Sequence, residues 1–456
     1  MKKQFPAFLL MLPLLVTLLF PFSASALEEP NLTCRNAILL DATYDEILYD
    51  KGADEKAYPA SITKVMTALL VLEAVEDGQL TLDTPITASD TALDVPKDSS
   101  VAGILPGETL TVEQLLYCLL LPSGNEVAQI LAEAVDGDIA TFVEHMNQRA
   151  KELGCQGTHF VNPHGYHDDN HYTTAYDITR FMKAAMEYEL FSTILTSPNY
   201  TLPPTNMSPE ERIIRNTNAL TSNYYTLGYL YGPGTGGKTG TTGEAGCCLV
   251  ETAREGDMYL ISVILGAEEV KLDNGDTDYR QFRETIELLD WGFDNFQRVT
   301  LTPDETLVAK VQVNLSTQAD EVNIRPVGSI TRTLPKDVDP EAIETTISRF
   351  SESVDAPVEA GQVLGTLKLS YDGVVYGTLD LVADTSVERS DFLYYKHQVE
   401  TFFQNAGVRL LLVVGLILVV IVLLRVLVFQ KRRRYRVGAG VGGSRHRGHY
   451  TGRRRR

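Results

Sequence analysis

Leu410 to Phe429 is a run of twenty residues whose one charge is Arg425, and such a run has few structural options. In hydrocarbon every backbone N–H and C=O must be satisfied within the segment. It is therefore predicted to be a helix, and at ~1.5 Å per residue twenty residues reach across a core of ~30 Å. Arg425 falls near one end, where its head reaches the headgroups while its methylenes stay in the apolar layer. Lys431-Arg-Arg-Arg434 follows at once, and Arg453 to Arg456 close the chain. The positive-inside rule then keeps residues 430–456 as a basic cytoplasmic tail and places the bulk of the chain outside. Basic runs also bind nucleic acid; beside a span, anionic lipid and topology are the stronger readings.

At the other end Lys2 and Lys3 precede an apolar run from Phe5 to Phe22, and Ala24-Ser25-Ala26 supplies the small residues that signal peptidase cleaves after. Residues 1–26 read as a secretory signal, with Pro13 and Pro21 opposing an uncleaved anchor. The formal charge of −20 hides an asymmetry: residues 27–408 hold all 60 acidic residues but only 25 of the 40 Lys and Arg. That region is predicted to be a well-hydrated ectodomain with no nucleic-acid partner. Its five cysteines, Cys34, Cys118, Cys155, Cys247 and Cys248, fit neither a disulfide framework nor a C-x-x-C zinc site, and most are expected as small buried apolar residues.

About 380 residues between signal and span exceed one ordinary domain. Residues 29–297 alternate helical with strand-like patterns, which favours a mixed α/β fold. Ala37 to Tyr49 reads as two strands around a turn. Ser61 to Glu76 is apolar at helical spacing and stops at Asp77-Gly78, and Val112 to Leu121 is a short helix cut off by Pro122. Leu249–Ala253 and Met258–Ala267 flank Glu255-Gly256-Asp257 as a hairpin. Residues 298–383 change character: Val308 to Leu315 and Gly365 to Tyr371 alternate polar with apolar, and turns such as Asp372-Gly373 separate short strands. Residues 384–409 link this β-rich module to the span, with Phe392, Leu393, Tyr394, Phe402 and Phe403 as interfacial anchors or as one face of an amphipathic helix.

Three short motifs carry chemistry. Ser61-Ile-Thr-Lys64 puts Lys64 one turn after Ser61 on the same helix face, so that the amine approaches the hydroxyl. A serine hydroxyl is a poor nucleophile until a base takes its proton, and a lysine serves only if burial or a second cation, here Lys238, lowers its pKa. Alternatively, Ser61 is an N-cap and Lys64 a solvated first-turn residue. Ser123-Gly-Asn125 follows a helix stopped by Pro122, where a loop can aim a hydroxyl and an amide into a cleft. There Ser123 is a candidate proton relay, and Asn125 a candidate to hold Lys64 and a substrate amide. Gly236-Gly-Lys238-Thr-Gly240-Thr-Thr reads as the start of an edge strand. An extended peptide can pair with such an edge. Lys238 and Thr239 are placed to meet a terminal carboxylate beside Gly240, and the N–H groups of Thr241 and Ser61 to form an oxyanion hole.

Gly232 to Thr239 also satisfies the phosphate-loop pattern G-x-x-x-x-G-K-[ST]. A phosphate loop opens a helix at its lysine, whereas here Gly240, Gly243 and Gly246 follow with threonines between them, which opposes a helix.

Together, S-x-x-K, S-x-N and K-T-G in this order form the signature of penicillin-interacting serine enzymes, and the chain resembles a membrane-anchored serine D-Ala-D-Ala carboxypeptidase, a low-molecular-mass penicillin-binding protein. Ala53 to Ala68 resembles the family's active-site block, Thr158 to Gly165 and His171 to Asp177 its central block, and Ala356 to Gln362 its appended β-rich domain. The resemblance implies a penicillin-binding/β-lactamase-like serine transpeptidase fold in the first domain and acylation of Ser61 by a peptidoglycan stem peptide ending in D-Ala-D-Ala. It also implies inhibition by β-lactams and neither metal nor other cofactor, so that His164, His167 and His171 are structural or substrate-lining. Where some relatives carry carboxylate-binding arginines this chain has Thr217 and Gln281, with Arg280 or Arg283 as replacements. A β-lactamase shares the motifs without the appended domain and span. A catalytically silent wall-binding protein has no chemical need for Ser61, Lys64 and Lys238 together.

Overall fold

The computed structural model describes residues 27–301, 308–339, 342–371 and 373–437. The signal at 1–26, Asp372 of the Asp372-Gly373 turn and the tail beyond 437 lie outside the described residues.

Contacts divide the chain into two units. The first runs to Thr300 and takes back residues 331–339. Its frame is a five-stranded antiparallel sheet of β1 (Asn36–Asp41), β2 (Glu46–Lys51), β3 (Gly234–Thr242), β4 (Gly246–Glu255) and β5 (Met258–Ala267), in the order β2-β1-β5-β4-β3. The predicted strand pair at Ala37–Tyr49 and the hairpin around Gly256 are both present, and β3 is an edge strand.

Seven helices cover the sheet: α1 (Thr63–Glu76), α2 (Val112–Leu120), α3 (Asn125–Asp136), α4 (Ile139–Glu152), α5 (Ala175–Ala185), α6 (Glu189–Thr196) and α7 (Arg280–Asn295). On one face α7 sets Leu288, Leu289 and Phe293 against Leu39, Leu260 and Ile264. On the other lies the larger core, with α1 at its centre. Eleven of the fourteen residues of α1 are buried, as expected of a helix surrounded by others rather than lying on a surface. That placement is what buries Lys64, a first-turn residue of this helix. Residues 331–339 return to the β1–β2 turn because the buried carboxylate of Asp41 needs donors: the Thr333 hydroxyl donates to it, and the Thr333 N–H donates to Glu46 at 2.7 Å.

The second unit contains a six-stranded sheet of β6 (Ala309–Asn314), β7 (Glu321–Val327), β8 (Glu344–Arg349), β9 (Ser353–Asp355), β10 (Val363–Tyr371) and β11 (Val374–Ala383), ordered β8-β10-β11-β7-β6-β9. Ala309, Val311 and Val313 point inward from β6 while the residues between them are exposed, the alternation expected of a half-buried strand. The linker is helical over α8 (Asp391–Gln404), which exposes Phe392, Tyr395, Phe402 and Phe403. α9 (Ala406–Val437) follows, and its segment Ala406–Gln430 is long and apolar enough to cross a membrane.

Candidate active site

Ser61 lies in a 3₁₀ turn, Ala60–Ile62, and α1 begins only at Thr63. The helix predicted to start at Ser61 is thus shorter by two residues, and Ser61 is not its N-cap; that position is Ile62, with no side-chain cap. Ala60 has φ +46°, a left-handed conformation unfavourable for a residue with a Cβ. The turn is braced from two sides. A Cβ on Gly240 would lie 2.9 Å from both Pro59 O and Ser61 N, and one on Gly165 would lie 1.8 Å from Ala60 O. Both glycines are therefore required by close backbone approach. Gly240→Ala should force β3 away from the turn, costing about 1–3 kcal/mol of stability and at least tenfold in penicillin acylation. A melting curve and an acylation time course check this.

Lys64 is completely buried, which excludes the solvated first-turn reading. Its Nζ lies 2.9 Å from Ser61 Oγ and donates to Asn125 Oδ1 at 2.7 Å and to the His164 backbone carbonyl at 2.8 Å. Burial, then the charge of Lys238, holds its pKa well below the usual lysine range, with Glu126 opposing. A neutral amine has two N–H groups and one lone pair. Asn125 and His164 take the two N–H groups, which leaves the lone pair for the Ser61 hydroxyl.

Pro122 ends α2, and Ser123 follows with φ +65°. Its hydroxyl is buried and makes no hydrogen bond, unusual for a buried polar group without a function. Asn125 opens α3, so its amide is fixed by a helix rather than carried on a mobile loop.

β3 carries Lys238, Thr239, Gly240 and Thr241 in one extended run, paired with Val250, Leu249, Cys248 and Cys247 of β4. No helix opens at Lys238, so the phosphate-loop reading fails on geometry. Lys238 is 1% exposed, and no carboxylate pairs with it among the described residues; its Nζ donates to Thr239 O at 3.0 Å. Burial alone brings its pKa down to about 7. A buried cation without a counter-ion is costly, and an incoming carboxylate relieves it. Thr217 Oγ1 lies 2.7 Å from Thr239 Oγ1, which places the residue found in the arginine's position at the same spot. The replacements Arg280 and Arg283 are engaged elsewhere: Arg280 by Asp278 at 3.6 Å, and Arg283 by Asp278 at 3.1 Å and Glu287 at 3.3 Å. Neither lines the cleft, and the expectation that one of them takes the carboxylate is withdrawn.

The cleft encloses about 380 Å³ and is lined by Ser61, Asn125, Thr241, Tyr166, His167, Asp98 and Glu244, among others. The three histidines have separate places. His164 lends its carbonyl to Lys64, His171 is buried behind α1, and His167 faces the cleft. Sequence reasoning missed the His164 carbonyl, the bracing by Gly165 and the Thr217 contact. The first two act through backbone and leave no side-chain signature.

Comparison with known proteins gives these geometries a family. A D-alanyl-D-alanine carboxypeptidase family model matches residues 23–269, and one for the C-terminal domain of penicillin-binding protein 5 matches residues 296–389. The chain is 31% identical over 365 residues to D-alanyl-D-alanine carboxypeptidase DacF of Bacillus subtilis, covering 79% of this chain and 87% of that one. It is 30% identical over 383 residues to DacC of Escherichia coli, covering 80% and 87%. Among solved structures, penicillin-binding protein 5 of Haemophilus influenzae aligns with a TM-score of 0.61 at 25% identity, over 80% of this chain and all of that one. From the order of the three motifs, the buried Lys64 beside Ser61, the buried Lys238 on an edge strand, and these likenesses, the chain belongs to the D-alanyl-D-alanine carboxypeptidase family of serine-type penicillin-binding hydrolases.

Proposed function

We propose that Ser61 is the nucleophile and Lys64 its base in removing the terminal D-alanine from peptidoglycan stem peptides ending in D-Ala-D-Ala. The reading rests on one observation: a buried Lys64 amine whose two other partners are acceptors and whose third is the Ser61 hydroxyl. Ser61 Oγ attacks the carbonyl of the penultimate D-alanine as Lys64 takes its proton. The oxyanion lies between the N–H groups of Ser61 and Thr241, where each donor is worth about 2.7–4 kcal/mol of barrier. The C–N bond then breaks, and the proton reaches the leaving amine by way of the Ser123 hydroxyl. Asn125 holds Lys64 and the substrate amide, while Lys238 and Thr239 receive the terminal carboxylate. The peptide lies along the outer edge of β3 beside Gly240, which pairs with no other strand among the described residues. Water then cleaves the ester.

Incubating the ectodomain with a muramyl pentapeptide and weighing the product tests this. Loss of one D-alanine supports it. An unchanged peptide favours the silent wall-binding protein, and rapid turnover of penicillin in place of a lasting adduct favours a β-lactamase.

We further propose a single-pass topology with the catalytic domain outside and the basic tail in the cytoplasm, supported by the charge step that follows the span. β-Lactams reach the site from outside. Protease added to wall-less cells should degrade the ectodomain and spare a tag on the tail; loss of the tag would reverse the orientation.

A further inference from the structure

His171 is 2% exposed, lies behind the first turn of α1 and has no part in the chemistry proposed above. Its Nδ1 accepts the Val161 N–H at 3.2 Å, which leaves the ring proton on Nε2. Nε2 lies 2.8 Å from Thr63 Oγ1, and the Thr63 hydroxyl donates to Ala60 O at 2.8 Å. The donors therefore run in one direction, from Val161 N–H through the ring and the Thr63 hydroxyl to the Ala60 carbonyl. Burial pushes the His171 pKa down to about 3, so the ring stays neutral and the direction does not reverse. Phe160 meets the ring edge to face at 5.5 Å and fixes its plane.

The carbonyl at the end of this chain is that of the strained residue, and it shares a peptide plane with the Ser61 N–H. In a trans peptide the C=O and N–H point in opposite directions, so holding one sets the other. We propose that His171, acting through Thr63, is a positioning residue that fixes the Ala60–Ser61 peptide plane and thereby aims the Ser61 N–H at the oxyanion. Gly165 permits this arrangement: its φ is +86°, and a Cβ there would lie 1.8 Å from Ala60 O and 2.7 Å from Thr63 Oγ1. The left-handed Ala60, unfavourable on its own, is kept with its carbonyl tied by the Thr63 hydroxyl and with Gly240 packed so closely that a Cβ there would lie 2.9 Å from Ser61 N. The inference rests on the oxyanion-hole reading given under the proposed function.

A misaimed donor weakens the transition state and leaves the ground state alone. Thr63→Val is close to isosteric and removes the hydroxyl; His171→Phe removes the ring donor; His171→Gln keeps a donor near the position of Nε2. Thr63→Val and His171→Phe are expected to lower kcat for D-alanine release about 10- to 100-fold with KM unchanged, less than deletion of an oxyanion donor. A boronic acid that forms a tetrahedral adduct on Ser61 should lose affinity by the same factor. His171→Gln should recover most of the rate, and the double variant Thr63→Val/His171→Phe should be no worse than either single change, because both break one chain. Circular dichroism establishes that each protein is folded, and should His171→Phe fail to fold, Thr63→Val and His171→Gln carry the test. Unchanged kcat in a folded Thr63→Val, a rise in KM in place of a fall in kcat, or unaltered boronate affinity would overturn the proposal. Wild-type protein that forms no adduct on Ser61 would overturn the mechanism beneath it, a result distinct from a wild type that reacts and variants that react equally well.

Discussion

Ser61→Ala is expected to form no penicillin adduct and to release no D-alanine, a loss of about 10⁴-fold or more, while remaining folded. The two halves of that expectation have separate causes. Chemistry is lost because, among the described residues, Ser61 Oγ is the one hydroxyl hydrogen-bonded to the buried Lys64 amine, the other partners being an amide oxygen and a backbone carbonyl. Stability is retained because Ser61 caps no helix and Lys64 keeps both of those partners. Were Ser61 an N-cap, its loss would cost about 0.5–2 kcal/mol and leave any activity measurable. Proteolysis of the penicillin-treated wild type and mass mapping should place the adduct on the Ser61 peptide. An adduct on another residue, or D-alanine released by folded Ser61→Ala, would remove the nucleophile assignment.

What could be read from the sequence follows from what the chemistry requires of side chains. Ser61 and Lys64 are three residues apart, and helical spacing alone brings them together; Lys238 lies in a glycine-rich run that opposes a helix, so the edge strand was legible too. The alternating pattern of β6 and the apolar run in α9 are equally local signals. The start of α1 was misplaced by two residues because the apolar pattern runs through the turn, while the strain at Ala60 has no sequence signal: alanine is ordinarily the best helix former. Groups acting through the backbone, such as the His164 carbonyl, leave no mark on residue type. The return of residues 331–339 to the first unit depends on Thr333 meeting Asp41, a contact 292 residues apart in sequence that no periodicity encodes. Thr217 was read only as the residue in an arginine's place, without its contact to Thr239, and Arg280 and Arg283 were free candidates only until their acidic partners were visible.

Lys64 and Lys238 are two buried amines, the charge of Lys238 acting on Lys64, and the pH profile is expected to show their coupling. In the mechanism proposed above the reactive form is singly protonated: Lys64 neutral, to accept the Ser61 proton, and Lys238 charged, to hold a carboxylate. Below the first macroscopic step both are charged and Lys64 has no lone pair. Above the second both are neutral and the anion has no partner. Burial lowers both pKa values from the lysine range, with repulsion from Lys238 as a further cause at Lys64 and about 7 reached at Lys238. Thus kcat/KM for a peptide with a free terminal carboxylate should rise on the acid side and fall again as pH passes about 7, since kcat/KM reports the free enzyme. The same peptide amidated at its terminus should react more slowly but keep the acid limb and lose the alkaline one, because its binding does not depend on the Lys238 charge. Lys64→Met should lower acylation by about 10²–10⁴-fold at every pH, the usual contribution of a general base. Its melting temperature is a poor guide: relief of a buried amine and loss of donors to Asn125 and His164 act in opposite directions. An alkaline limb that persists with the amidated peptide would detach Lys238 from the carboxylate. Near-normal acylation by folded Lys64→Met would move the base to another residue.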